Sequence, residues 1–285
     1  MGHDVTVLSR NKNIPSGAVA IIADRLIGIQ QLKNAEFDAT IDFICADDVD
    51  VNEIFSNFNP GQYVLISTVW LAKREGLPET WPVISSLTEK YLTGKKKAEN
   101  AVNKQRSLGR TATSLRLPIQ SGCNDHTKRL LFYFDRMIDG QGIIRVNAGK
   151  NIVQIVSSND IAIALAKAIS SDSLVDTALC DAMPECGEKV KDILQIMAAD
   201  EDVDWFDMTE EKLKILLPEY LDEEPFWQEY QLPTLENNLF KIAKVQQTPI
   251  KTWIKPIKDM VKCRSLSELR KKEIALINGE KNVIY

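Results

Sequence analysis

Histidine is almost missing from this 285-residue chain, which has only His3 and His126. Cysteine is sparse and scattered: Cys45, Cys123, Cys180, Cys186 and Cys263 are odd in number and form no Cys-x-x-Cys pair. The two shortages remove the ligand spacing that a zinc site needs. They point to reduced thiols in a cytoplasmic protein rather than to a disulfide framework. Long apolar runs are also missing, which argues against a membrane span. No basic segment followed by an apolar one opens the chain, which argues against a secretory signal. Basic charge is not in excess. The 35 Lys and Arg against 40 Asp and Glu leave a net charge of −5, the wrong sign for a broad nucleic-acid surface. No internal repeat or low-complexity tract is found. What is present, 44% hydrophobic and 26% charged residues, suits a globular chain with core enough for one large domain or two smaller ones.

Over the first 120 residues, short apolar runs alternate with amphipathic stretches. Asp4–Leu8, Ala18–Ile22, Ala39–Ile44 and Tyr63–Ser67 read as strands, and Thr111–Leu117 as a fifth. Segments 26–35, 51–58 and 87–105 read as the helices between them. This rhythm predicts an α/β fold, a doubly wound parallel sheet with right-handed crossovers and helices on both faces. The runs are continuous rather than alternating, as strands buried on both sides require. After Pro118 the rhythm breaks among Gly122, Gly140, Gly142 and Gly149. Ile152–Val156 then reads as a strand and Asp160–Ile169 as a helix, capped by Ser158, Asn159 or Asp160. Beyond residue 180, the acidic runs Asp200–Asp204 and Asp222–Glu224, with Pro218, Pro225, Pro233 and Pro249, predict short helices and solvated faces.

Tyr91 and Lys95 are the first candidates to carry chemistry. Residues i and i+4 of a helix share a face, and a nearby ammonium favours tyrosinate and lowers the tyrosine pKa. Such a phenol can give a proton to, or take one from, a carbonyl or alcohol oxygen. Thr68 or Ser67, at the end of the fourth strand, can hydrogen-bond the same oxygen. In a Lys-rich chain a Tyr–Lys pair also arises by chance. Its place just after a parallel strand favours the chemical reading, because sites in such folds lie at the carboxyl ends of strands.

The ordered segments resemble the short-chain dehydrogenase/reductase superfamily, in particular its extended and atypical NAD(P)-dependent epimerase/dehydratase group. Gly2-His-Asp-Val-Thr-Val-Leu-Ser-Arg10 resembles the second strand of that Rossmann-like domain, and Ala23-Asp24-Arg25 the element facing the adenine. Tyr63–Trp70 resembles the strand ending in the catalytic hydroxyl. Tyr91–Lys95, continued by Lys97-Ala-Glu99, resembles the active-site helix. Ser114–Pro118 through Gly122–Asp125 resembles the strand and loop beside the substrate. Val156–Ala164 and Thr248–Ile254 resemble later segments. The resemblance implies a dinucleotide-binding domain over 1–117 and 152–180, and a smaller, mainly helical substrate lobe over 118–151 and 181–285. It makes Tyr91 the general acid/base and Lys95 the residue that holds the nicotinamide ribose and depresses the Tyr91 pKa. Thr68, or Ser67, would bind the reacting oxygen. Thr68 runs straight into Val69-Trp70, a departure that leaves the third catalytic residue open.

Ser9, Arg10, Asp24 and Arg25 are the further cofactor contacts that the resemblance implies. At the end of the second strand an NAD-selective site places a carboxylate. This chain has Ser9-Arg10 there, and an Arg can pair with a 2′-phosphate, so NADP is favoured over NAD. The family's GxxGxxG turn, which holds the pyrophosphate at a helix N-terminus, has no counterpart in residues 1 to 60. The first strand, that turn and its helix, roughly 25–30 residues by the size of a βαβ unit, are expected to be lacking. Two explanations stay open: a start downstream of the native one (or a fragment), and a degenerate member that binds little cofactor. The polypeptide as written is expected to bind NADP weakly.

For the substrate, the resemblance implies a small molecule such as a nucleotide sugar, met by Asn124, Arg129 and above all Arg136. Trp205, Phe206, Phe226 and Trp227 could line its pocket or belong to the core. A homodimer is left open. The competing function is a non-catalytic binding or scaffolding subunit. Some atypical members bind RNA, but a pI of 5.3 and the lack of a basic stripe count against that here.

Overall fold

The computed structural model describes residues 2–71, 86–199, 201–227, 235–259 and 266–283. Asp200, Pro233 and Cys263 lie outside the described residues. The chain divides into two compact units, Met1–Arg116 with Ile169–Cys180, and Leu117–Ala168 with Asp181–Tyr285.

In the first unit β1 (Thr6–Ser9) pairs in parallel with β2 (Val19–Ile22), Thr6 opposite Val19. α1 (Arg25–Gln31) follows, started by Asp24, whose carboxylate accepts the Leu26 N–H. β3 (Ala39–Asp42) leads to α2 (Asp48–Asn57), which Asp47 caps in the same way. These caps satisfy N–H groups that a helix start leaves without partners. β4 (Gln62–Thr68), α3 (Ser86–Ser107) and β5 (Ala112–Leu117) complete the series. A four-stranded sheet runs β3, β4, β5, then the strand Leu179–Asp181, with β3 and β4 parallel. Every residue of β4 and β5 is buried, as strands covered on both faces require, although β5 carries Thr113, Ser114 and Arg116. The entry to β4 turns on Gly61, with φ +59° and the Asp38 carbonyl oxygen 2.2 Å from where a Cβ would stand. Only glycine fits such a turn.

α1, α2 and α3 meet over Ile29, Val51, Ile54, Phe58, Tyr63 and Leu65. The β1–β2 pair forms a sheet of its own. Among the described residues, no strand pairs with the edge of β1 away from β2 or with the edge of β3 away from β4. Phe43 and Ile44, just past β3, are exposed.

In the second unit β6 (Ile119–Ser121) pairs in parallel with β9 (Ile155–Ser157). α4 (Arg129–Asp139) precedes β7 (Ile143–Val146). β8 (Ile152–Val153) runs antiparallel to β11 (Glu188–Lys189). α5 (Ser158–Ser170) leads to the strand Leu179–Asp181 of the first unit's sheet, here β10, and α6 (Val190–Ala198) follows in the second unit, then β12 (Trp205–Met208), parallel to β7. The remaining helices are short, α7 (Glu210–Leu216), α8 (Pro218–Glu223), α9 (Leu239–Ala243), α10 (Ile250–Trp253) and α11 (Lys255–Lys258), except α12 (Glu268–Val283).

Two expectations change. Residues 152–168 sort with the second unit, because β8 and β9 find their partners there, in β11 and β6. The closing segment is a 16-residue helix where short elements were predicted. The aromatics also resolve. Phe226 is buried and stacks on Tyr133, Trp227 packs on the α7–α8 cluster, and Trp205 and Phe206 lie on β12 with Arg145 over the Trp205 ring.

Burial also sets a pH dependence. The Glu224 carboxyl is hydrogen-bonded by the Tyr133 hydroxyl and accepts the Phe226 N–H, and desolvation pushes its pKa up to about 8 from 4.5. A folded pKa above the unfolded one means that the stability from the held proton is fully present below pH 4.5 and is lost as pH rises through about 8. Urea midpoints measured between pH 5 and 8.5 should therefore fall with rising pH, and Glu224→Gln should flatten that slope. An equal slope in both proteins would show that Glu224 is already ionised.

Candidate active site

The first unit brings Tyr91, Lys95, Thr68 and Ser67 together. Tyr91 and Lys95 stand on α3, and Thr68 and Ser67 close β4. The Thr68 hydroxyl hydrogen-bonds the Tyr91 phenol and accepts the Trp70 N–H at 3.3 Å. The Lys95 ammonium stands 5.9 Å from the centre of the Tyr91 ring. It does not point at the phenol oxygen. It donates to the Ile66 carbonyl at 2.8 Å and to the Cys45 carbonyl at 2.7 Å. An ammonium has three N–H groups, and two of them have partners among the described residues. Ser67 donates to Glu99 at 2.7 Å, and Glu99 in turn takes two bonds from Arg116 on β5, at 2.9 and 2.8 Å.

Gly94, between Tyr91 and Lys95, allows this closeness. A Cβ there would lie 2.3 Å from the Ala46 carbonyl oxygen. Glycine inside a helix costs about 1 kcal/mol relative to alanine; here it lets the helix backbone approach the loop that follows β3.

The electrostatics differ from expectation. Desolvation raises the Tyr91 pKa, and the Thr68 hydrogen bond opposes that rise. Burial lowers that of Lys95. Lys95 was expected to pull the phenol down. Its ammonium is instead anchored on backbone carbonyls, so the phenol stays protonated through neutral pH.

The expected cofactor residues divide. Arg10 is exposed just past β1, and the Ser9 hydroxyl accepts the Asn11 N–H at 3.0 Å. Asp24 caps α1. Arg25 is not free to meet an adenine: it makes a fork onto Asp42 at 2.8 and 2.6 Å, and the Asp50 carboxylate lies 3.1 Å from its Nε. Tyr63 donates to the same Asp42 at 3.0 Å. Nothing in residues 2 to 60 offers a glycine-rich cradle for a dinucleotide's pyrophosphate.

In the second unit Asn124 is exposed in the turn after β6, and Arg129 opens α4 and donates to the Thr127 hydroxyl at 2.7 Å. Arg136, the expected diphosphate cation, is 6% exposed. It pairs with Glu273 and donates to the Phe132 carbonyl, and its guanidinium lies 3.3 Å from the centre of the Phe132 ring. A guanidinium so enclosed is structural. A cleft of about 810 Å³ opens elsewhere in this unit, lined among others by Met183, Cys186, Lys241, Lys244, Gln247 and Trp253. None of Asn124, Arg129 and Arg136 lines it.

Sequence reasoning missed the roles of Glu99, Arg116, Asp42 and the Cys45 carbonyl. Glu99 was findable, since it follows Lys95 by one turn on the same face. The others depend on tertiary packing.

No protein-family model matches this sequence, and no curated protein matches it. Solved structures do. The ADP-L-glycero-D-manno-heptose-6-epimerase of Helicobacter pylori superposes with a TM-score of 0.62 at 13% identity, over 90% of this chain and 87% of that one. Its fold is that of the epimerases and dehydratases. UDP-N-acetylglucosamine 4-epimerase from Bacillus cereus gives 0.57 at 13% identity, over 93% and 91%. RMD from Pseudomonas aeruginosa, complexed with NADPH, gives 0.60 at 10% identity, over 90% and 98%. Among the described residues, no helix is long and apolar enough to cross a membrane.

Proposed function

We propose that this chain is an NAD(P)-linked reductase or epimerase/dehydratase acting on a hydroxyl or carbonyl of a sugar nucleotide or a related small molecule. The observation that carries the proposal is the Tyr91 phenol bonded to Thr68 at the carboxyl end of β4, with Lys95 one turn further along the same helix. That arrangement lies in a fold shared with sugar-nucleotide epimerases such as the UDP-glucose 4-epimerase of Thermotoga maritima.

Tyr91 is the proton donor. Its raised pKa keeps it neutral, which suits it to protonate a carbonyl oxygen. The Thr68 hydroxyl binds that oxygen and the remaining N–H of Lys95 binds a ribose hydroxyl. A bound nicotinamide would supply the hydride. Arg10 favours NADP, since a guanidinium matches a phosphate. The competing reading, a binding subunit with little cofactor affinity, draws on Arg25 being held by Asp42 and Asp50.

The test is titration calorimetry of this polypeptide with NADPH and NADH, followed by a hydride-transfer assay on UDP- and ADP-linked sugars. Weak NADPH binding with measurable turnover supports the proposal. No turnover with any of these sugars, at saturating NADPH or NADH, favours the binding subunit. Tight binding of either dinucleotide would overturn the expectation of low affinity.

A further inference from the structure

α3 presents Tyr91, Lys95 and Glu99 at intervals of one turn, so the three side chains form a single stripe. Three successive residues of β4 receive the stripe. Thr68 bonds Tyr91, Ser67 bonds Glu99 and the Ile66 carbonyl bonds Lys95. The rungs are unequal. Tyr91 is 48% exposed, while Glu99 and Arg116 are 5% and 2% exposed. A single bond between hydroxyls contributes about 1 kcal/mol, too little to hold a 22-residue helix in register. The Glu99–Arg116 fork is charged and bidentate, and two parallel bonds fix orientation as well as distance. A slip of one residue along a helix moves side chains by about 1.5 Å and turns them by about 100°, which would carry the phenol away from Thr68.

We infer that Glu99 and Arg116 are positioning residues: their buried fork, with Ser67, sets the register of α3 on β4 and so holds the Tyr91 phenol at Thr68. The inference rests on the reading of Tyr91 as the acid, and deepens it by naming what aims that acid. Neither residue touches the reacting atoms. Among the described residues, the groups bonded to Glu99 are Ser67 of β4 and Arg116 of β5.

The test separates this role from simple support of the fold. Glu99→Met with Arg116→Met takes out both members of the buried pair together, and such replacements are commonly neutral for stability. The titration of Tyr91 is then read by NMR on ring-labelled tyrosine, assigned with Tyr91→Phe. In the parent the phenol titrates above the ordinary tyrosine range. In the folded double variant its midpoint should move down towards the ordinary value, because release into water removes the desolvation that is the larger influence on it. Glu99→Gln, which keeps a bond to Ser67, should show a smaller shift in the same direction and serves if the double variant does not fold. Where turnover is measurable, kcat should fall about 100-fold, as expected for a misplaced group, with KM little changed. An unmoved Tyr91 midpoint in folded Glu99→Gln or in the folded double variant would overturn the inference. The titration needs no substrate, so failure of the clamp and failure of the enzymatic reading give different results.

Discussion

Tyr91→Phe should lower turnover by about 10²–10⁴-fold, the usual contribution of a positioned acid, while leaving the fold and substrate KM nearly unchanged. The substitution removes one oxygen from a ring that is 48% exposed. No buried partner is left without a bond, because Thr68 still accepts the Trp70 N–H. The loss therefore falls on the step in which a proton reaches the substrate oxygen. Turnover and calorimetry on the same preparation read the two effects separately. A Phe variant that turns over like the parent would remove Tyr91 from the mechanism. A fall in binding without a fall in kcat would make it a substrate contact instead.

Arg136→Met should cost about 3 kcal/mol of stability, near the lower end of what breaking a buried ion pair costs. Its partner Glu273 is 0% exposed, so the carboxylate cannot be rehydrated. Arg270 also bonds Glu273, at 2.7 Å, which keeps the loss from being larger. Arg270 is itself tied to Asp139 at 2.7 Å, so one defect strains a four-membered network. Adding Glu273→Met to the variant should recover most of the loss, since both charges then leave together. Urea unfolding of the single and double variants measures this directly. Arg129→Ala, on the exposed start of α4, should change stability by no more than about 0.5 kcal/mol. Equal small effects at both positions would return Arg136 to the list of ligand contacts.

These contrasts show what the sequence could convey. In the first unit Tyr63–Ser67 was legible because its apolar run is continuous, as burial on both faces demands, whereas Thr111–Leu117, which carries Thr113, Ser114 and Arg116, was legible from its place after the long helix. That Tyr91, Lys95 and Thr68 come near one another was legible because helical spacing and strand ends are local facts. The direction of the Tyr91 pKa was not, since it depends on where the Lys95 ammonium finds carbonyls, and Cys45 and Ile66 are far from Lys95 in sequence. Arg136 failed for a similar reason. Among glycines and other cations it reads as a surface residue, and its burial is decided by Glu273 on a helix 137 positions away. Arg25 likewise reads as a free cation until β3 and α2 bring Asp42 and Asp50 to it. Local pattern fixes elements, while the state of a charged group is set by partners that only the packed chain supplies.

The open edges of β1 and β3 have a consequence for the backbone itself. Along a parallel strand, successive peptide groups point alternately to the two sides. The carbonyls of Val5, Ser9 and Asp38 accept bonds from the neighbouring strands or their extensions. The alternation then turns the N–H groups of Thr6, Leu8, Ala39 and Ile41 the other way, towards edges that no described strand covers. Those amides should trade their hydrogens with water sooner than the alternate ones at Val7 and Thr40, which must wait for the strands to part. Hydrogen exchange should then be fast and slow at alternate residues of a single strand.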